Sequence, residues 1–323
     1  MKPEVSKILE VNNFLIVWHN LRRLSGKSLK IKQVNKIAKI LSREHLCQRD
    51  KTIFTLAGRF ESSVSFSKNR IYFFRVSMTS ISKQEGSTLK KIFSLCKNEF
   101  KLSLDAAELI VNMFFRLSPY VAFGIDGDMP RLKLYSQLEF HRINGTTNDD
   151  IIKSILELAD ILSININKDY MSLIFGEKTV FNSICVDFYT NKKYAIKVYL
   201  QLSADDSQKE LTIPIHRFGI SEDLISKAKQ RLLCYAFSKK YKNMATETLF
   251  LKFNQYPTDF NFSAIYKSLG YKGGEALRKF IDANKIVSMP IVSFLAFGKD
   301  KFTVYMHPGL NYFPSQARGL VKI

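Results

Sequence analysis

Polar and apolar residues alternate along RLKLYSQLEF (131–140). Leu132, Leu134 and Leu138 fall on one face, and Arg131, Lys133, Tyr135, Gln137 and Glu139 fall on the other. A period of two is that of a β-strand with one oily side, and here the polar side carries cations and a phenol. The pattern recurs. In YAIKVYLQL (194–202), Lys197, Tyr199 and Gln201 oppose Ile196, Val198 and Leu200, and in KFTVYMH (301–307) Lys301, Thr303, Tyr305 and His307 share a face. RIYFFRVSM (70–78) offers Arg75, and TLFLKFN (248–254) offers Lys252.

Between these strands the apolar spacing is helical. It predicts helices over 5–23, 31–44, 87–100, 103–117, 148–162, 168–175, 261–269 and 274–283, and a long one over 222–241. Further strands are predicted in TIFTLAGRFESSVSF (52–66), YVAFGIDG (120–127), SICVDFYT (183–190), ATETLFLKFN (245–254) and PIVSFLAFG (290–298). The partner of 245–254 is left unplaced. The order is helix–helix–strand–strand, repeated about five times over residues 1–323, with Arg75, Lys133, Lys197 and Lys252 recurring about every 60 residues. The fold class is therefore α+β, in one domain. An antiparallel sheet of about ten strands tends to curl or close into a barrel. Amphipathic helices would ring it and cover its apolar face, leaving the Lys/Tyr/Gln faces to line a lumen. Alternating strands argue against a parallel α/β sheet, whose strands are apolar throughout.

Composition adds one fact: 49 basic against 29 acidic residues give a net charge of +20. Such a balance suits a polyanionic partner, whether nucleic acid, anionic membrane or a phosphorylated small molecule. Nucleic acid is disfavoured, because basic residues are scattered over the helices and no RRM, KH or zinc signature occurs. Cys47, Cys96, Cys185 and Cys234 are far apart, with no paired or metal-ligand spacing, as expected for free thiols. No signal peptide is evident and no apolar run approaches about 18 residues, so a soluble, cytoplasmic monomer without membrane association is expected.

The ααββ order resembles that of the ABBA-type (PT-barrel) aromatic prenyltransferases. So do four local stretches: FESSVSFSKNRIYFFRV (60–76), GIDGDMPRLKLY (124–135), VDFYTNKKYAIKVY (186–199) and FGKDKFTVYMH (297–307). The resemblance implies transfer of an allylic group from a prenyl diphosphate, usually dimethylallyl diphosphate, to an electron-rich aromatic acceptor such as a phenol or indole. It implies that Arg75, Lys133, Lys197 and Lys252 bind the diphosphate and that Tyr135, Tyr199 and Tyr305 shield the carbocation. Glu61 would be the catalytic carboxylate that orients or deprotonates the acceptor. No cofactor is obligatory and Mg²⁺ is optional; NDDIIK (148–153) lacks the last aspartate of a DDxxD metal clamp.

These residue types suit the chemistry. Preorganised cations stabilise a departing anion, and phenol faces attract a carbocation by roughly 0.5–2 kcal/mol each. Read singly, each residue has a plainer role: Lys133 and Lys197 as solvent-face strand residues, the tyrosines as ordinary strand formers, Glu61 as a surface acid. Arg75, among Tyr72, Phe73 and Phe74, needs an anionic partner. Asp126 and Asp187 are read as bracing hairpins, and His307 is given no role. Phe54, Ser63, Phe123, Tyr189 and Phe294 are the candidate chamber walls. The acceptor stays open between a small molecule and a peptide, with a basic nucleic-acid-binding protein and a non-catalytic barrel for an acidic ligand as the other readings.

Overall fold

The computed structural model describes residues 20–21, 60–67, 70–81, 94, 97–98, 100–116, 119–126, 129–137, 147–175, 179–189, 193–202, 217–240, 244–271, 274–285 and 288–308. All but residues 20–21 of the helix expected over 5–23, the helix expected over 31–44, most of 87–100, and Phe54 lie outside that set.

The described strands are β1 (Phe60–Ser67), β2 (Arg70–Ile81), β3 (Pro119–Asp126), β4 (Met129–Gln137), β5 (Phe181–Tyr189), β6 (Tyr194–Leu202), β7 (Gln230–Ser238), β8 (Thr246–Gln255), β9 (Ile291–Gly298) and β10 (Lys301–His307). Each pairs antiparallel with its neighbours in sequence, and β1 pairs with β10 as well as β2, so the sheet closes on itself. The helices are α1 (Leu104–Arg116), α2 (Asn148–Ile161), α3 (Lys168–Ile174), α4 (Glu222–Ser226), α5 (Phe262–Leu269) and α6 (Gly274–Asn284).

Local chemistry fixes the helix ends. Thr147 caps α2 in a reciprocal box with Asp150, Asn167 caps α3 and Asn261 caps α5. Gly270, at φ +68°, ends α5 in the left-handed conformation that favours glycine. The two aspartates of NDDIIK thus sit in the first turn of α2, where they complement the helix dipole.

Alternation decides which face of the sheet is oily. Ile184, Val186 and Phe188 of β5, with Ile196, Val198 and Leu200 of β6, are buried in one core with Ile151, Ile155 and Leu158 of α2 and Met171 of α3. Burying such side chains contributes roughly 1.5–3 kcal/mol each. The residues between them face the other way: Cys185, Tyr199 and Cys234 form a separate cluster against Tyr135 and Phe250. On β5 and β6, therefore, α2 and α3 cover the outside, and the polar face of the alternation looks into the barrel. On the outer wall Ser62 of β1 donates to Asn284 Oδ1 of α6 at 2.5 Å, and Asn284 donates to the Phe280 carbonyl at 2.8 Å.

One expected element is different. In place of a long helix over 222–241 there are the five-residue α4 and then β7, which is the missing partner of β8. Ser221 does cap a helix start, its Oγ accepting a hydrogen bond from the Leu224 backbone N–H. Beyond it, Leu232, Leu233, Cys234, Tyr235 and Phe237 are all buried. A strand buried on both faces loses its alternation and reads like a buried helix.

Candidate active site

Strand register builds the site. Lys133 of β4 lies opposite Asp187 of β5, and Cys185 of β5 lies opposite both Tyr135 of β4 and Lys197 of β6. Residues directly opposite share a face, so Lys133, Asp187 and Lys197 all project inward. The Asp187 carboxylate meets Lys197 Nζ at 2.5 Å, Lys133 Nζ at 3.5 Å and Arg131 Nη1 at 3.6 Å. Cys185 Sγ donates to Oδ1, the oxygen that also meets Lys133, at 3.4 Å. Asp187 is 0% exposed, Arg131 1% and Lys133 6%.

Electrostatics follow from that burial. Burial alone would raise the Asp187 pKa, but Lys133, Lys197 and Arg131 outweigh it and hold the carboxyl far below the usual range. Burial pushes the Lys133 ammonium down to about 8, against the pull of Asp187 and with repulsion from Arg131 and Lys197. For Lys197 the Asp187 carboxylate overcomes burial, so its pKa rises. Burial pushes the Cys185 thiol up to about 12 and Cys234 up to about 11, so both stay neutral. Among Arg131, Lys133, Lys197 and Asp187, cations outnumber the carboxylate by two. A low-dielectric wall with that surplus favours a bound anion.

Aromatic rings adjoin the cations. Lys133 Nζ donates to Tyr135 Oη at 2.6 Å. The Phe250 ring of β8 lies 5.7 Å from Tyr199, 5.9 Å from Tyr305 and 6.3 Å from Phe294. Arg75 of β2 donates to Tyr305 Oη at 3.4 Å. Burial raises the Tyr305 and Tyr199 pKa values, so both phenols remain protonated; Arg75, Glu61, Lys197 and Arg131 all act on Tyr305. The last hairpin therefore faces the same space as the cation cluster.

The other expected residues lie around this centre. Glu61 of β1 accepts a hydrogen bond from Ser293 Oγ of β9 at 3.0 Å. Lys252 of β8 is outside the Asp187 cluster: its Nζ donates to Gln230 Oε1 at 3.4 Å and stands 5.9 Å from the Phe294 ring centre. Ser63 is buried, Tyr189 lies under the Arg131 guanidinium at 6.0 Å, and the Phe123 side chain lies outside the described set. His307 is buried.

Two central residues were not singled out by the sequence. Asp187 is no hairpin brace: it is the hub of the cluster, because Lys133 lies directly opposite it on β4 and Lys197, opposite Cys185, lies diagonally across from it on β6. Arg131 was on the polar face of β4 without a role. The alternation of SICVDFYT, which sets Cys185, Asp187 and Tyr189 against Ile184, Val186 and Phe188, carries the signal for Asp187. Among the described residues no group of three His, Cys, Asp or Glu side chains is placed to hold a metal ion. No described helix is long and apolar enough to cross a membrane.

No protein-family model matches the sequence, and no curated protein matches it. Solved structures do. PriB, in a binary complex with product diphosphate, superposes with a TM-score of 0.59 at 14% identity, over 94% of this chain and 99% of its own. The 5-dimethylallyltryptophan synthase of Streptomyces coelicolor gives 0.61 at 13%, over 93% and 97%. The 6-dimethylallyltryptophan synthase of Micromonospora olivasterospora, in complex with DMASPP and Trp, gives 0.61 at 12%, over 92% and 97%. Across nearly its whole length, then, this chain has the fold of these prenyltransferases.

Proposed function

We propose that the chain is an aromatic prenyltransferase: a single PT-barrel domain of five ααββ repeats, ten strands around the lumen and helices ringing the outside. The observation that carries this reading is the trio of buried Arg131, buried Lys133 and half-buried Lys197 around Asp187, set beside the rings of Tyr135, Tyr199, Phe250 and Tyr305 inside a closed sheet. The fold likeness to dimethylallyltryptophan synthases supports the same donor and acceptor classes.

In this mechanism Arg75, Lys133, Lys197 and Lys252 bind the diphosphate of dimethylallyl diphosphate, and Arg131 joins them. The allylic C–O bond breaks and its electron pair leaves with the diphosphate, whose growing charge the cations stabilise. Tyr135, Tyr199 and Tyr305 face the allylic cation and keep water from it. The π electrons of the acceptor ring form the new bond to carbon. Glu61 takes the proton that the ring then loses. The lysines and arginines supply the positive charge, so no cofactor is required; Mg²⁺ accompanying the diphosphate is optional. The enzyme works as a cytoplasmic monomer.

The test is incubation with dimethylallyl diphosphate and a panel of tryptophan, indoles, phenols, and peptides carrying Trp or Tyr. The expected result is diphosphate release with addition of one prenyl group to an acceptor, and the acceptor that reacts separates the small-molecule from the peptide case. No diphosphate release and no mass gain with any donor chain length overturns the reading.

A further inference from the structure

The hub of the cation cluster is a carboxylate that the proposed reaction does not use. A negative charge in a site for a diphosphate repels the ligand, so its presence calls for a physical account. Both Asp187 oxygens are engaged: Oδ2 by Lys197 and Arg131, Oδ1 by Lys133 and Cys185. The titratable and charged groups around it are Arg131, Lys133 and Tyr135 on β4, Cys185 and Tyr189 on β5, Lys197 and Tyr199 on β6, Cys234 on β7 and, further off, Arg75 on β2. The thiols and the Tyr199 phenol are kept neutral by burial.

We infer that Asp187 is an internal counter-ion, which holds Arg131, Lys133 and Lys197 charged and in place before the donor binds, so that the diphosphate meets a preassembled site. Like charges this close in a buried setting cannot all stay ionised without a balancing anion. Asp187 supplies that balance, and the incoming diphosphate takes over the larger share of it. Lys133 is the weakest member, because burial has already brought it to about 8. Asp187 is therefore a positioning residue, and the inference rests on reading the cluster as the diphosphate site.

A brace acting only through its shape and hydrogen bonds would be replaced by asparagine with the pH profile of diphosphate binding unchanged, whereas a counter-ion acts through its charge. The discriminating experiment is calorimetric titration with inorganic diphosphate from pH 6 to 9.5, in buffers of different ionisation enthalpy, on wild type, Asp187→Asn, Asp187→Glu and Lys133→Met. Wild type is expected to bind at pH 7 with little proton uptake and to lose affinity as pH rises through about 8, where Lys133 discharges. In Asp187→Asn the affinity loss moves at least about one pH unit lower and binding at pH 7 takes up about half a proton or more. Asp187→Glu restores the wild-type profile, and Lys133→Met loses the step. The ionisation of diphosphate itself is common to all four. Folding of each variant is checked by its thermal melt.

An Asp187→Asn profile that superposes on wild type overturns the inference. So does a step near pH 8 that persists in Lys133→Met, which decides the matter even where Asp187→Asn does not fold. Prenyl transfer with an unchanged Asp187→Asn profile removes this inference alone. Diphosphate binding with the expected shifts, but no transfer to any acceptor, removes the enzymatic reading alone. Absence of diphosphate binding by wild type removes both.

Discussion

Lys133 and Lys197 stand on strands separated by a single strand, and both ammonium groups close on opposite oxygens of one buried carboxylate, at 3.5 and 2.5 Å. They occupy one space inside the barrel. Without Asp187 their repulsion in a poorly solvated lumen would favour discharge of one of them.

Replacing either lysine by alanine should lower kcat/KM for the prenyl donor by roughly tenfold to a thousandfold, the scale of one lost contact to a developing anion. Lys252→Ala should cost less, since Lys252 is held by Gln230 outside the cluster. Steady-state kinetics with dimethylallyl diphosphate gives the ranking, and a normal Lys133→Ala enzyme removes the site assignment.

Glu61→Gln should slow acceptor turnover while donor binding is retained. The glutamine keeps an acceptor oxygen for Ser293 Oγ but cannot take up a proton. Binding of a thiolo-diphosphate donor analogue, measured beside product formation, separates the two effects.

Tyr199→Ala removes a ring from the wall formed with Phe250. If that ring shields the cation, the ratio of water-trapped prenol to prenylated product should rise by about 2- to 30-fold, equivalent to roughly 0.5–2 kcal/mol. Chromatographic product analysis measures the ratio.

Stability should carry the signature of Lys133. Its folded-state pKa, about 8, lies below the ordinary lysine value of 10.5, so between these values the unfolded chain binds more protons and stability rises with pH. The slope from this group is at most about 1.4 kcal/mol per pH unit. Asp187 has the opposite window: its depressed pKa contributes stability above the unfolded value of about 3.9, which is lost as pH falls below that. Urea unfolding of wild type against Lys133→Met from pH 7 to 10 should show the alkaline rise only in wild type.

Ser62→Ala should destabilise the protein by about 1–3 kcal/mol, because it strands the buried Asn284 amide oxygen that joins α6 to β1. Denaturant unfolding checks this, and prenyl transfer by the folded variant should be unaffected.

The polar faces of β4 and β6 were legible because alternation with period two survives wherever one face is apolar and the other is not. That placed Lys133, Tyr135, Lys197 and Tyr199 inward together. β7 was illegible for the converse reason: with Leu232 and Cys234 inside and Leu233, Tyr235 and Phe237 outside, both faces are buried and the period vanishes.

What the sequence determined by itself was periodicity, a local property: which segments are strands, which of their residues share a face, and that cations and phenols recur on that face. Only the tertiary structure decided what meets across strands. Register set Asp187 opposite Lys133 and one step from Lys197, closure of β1 on β10 brought Arg75 to Tyr305, and Lys252 was left beside Phe294. Pairings between residues tens to hundreds of positions apart depend on how the whole sheet closes, and no local pattern encodes that.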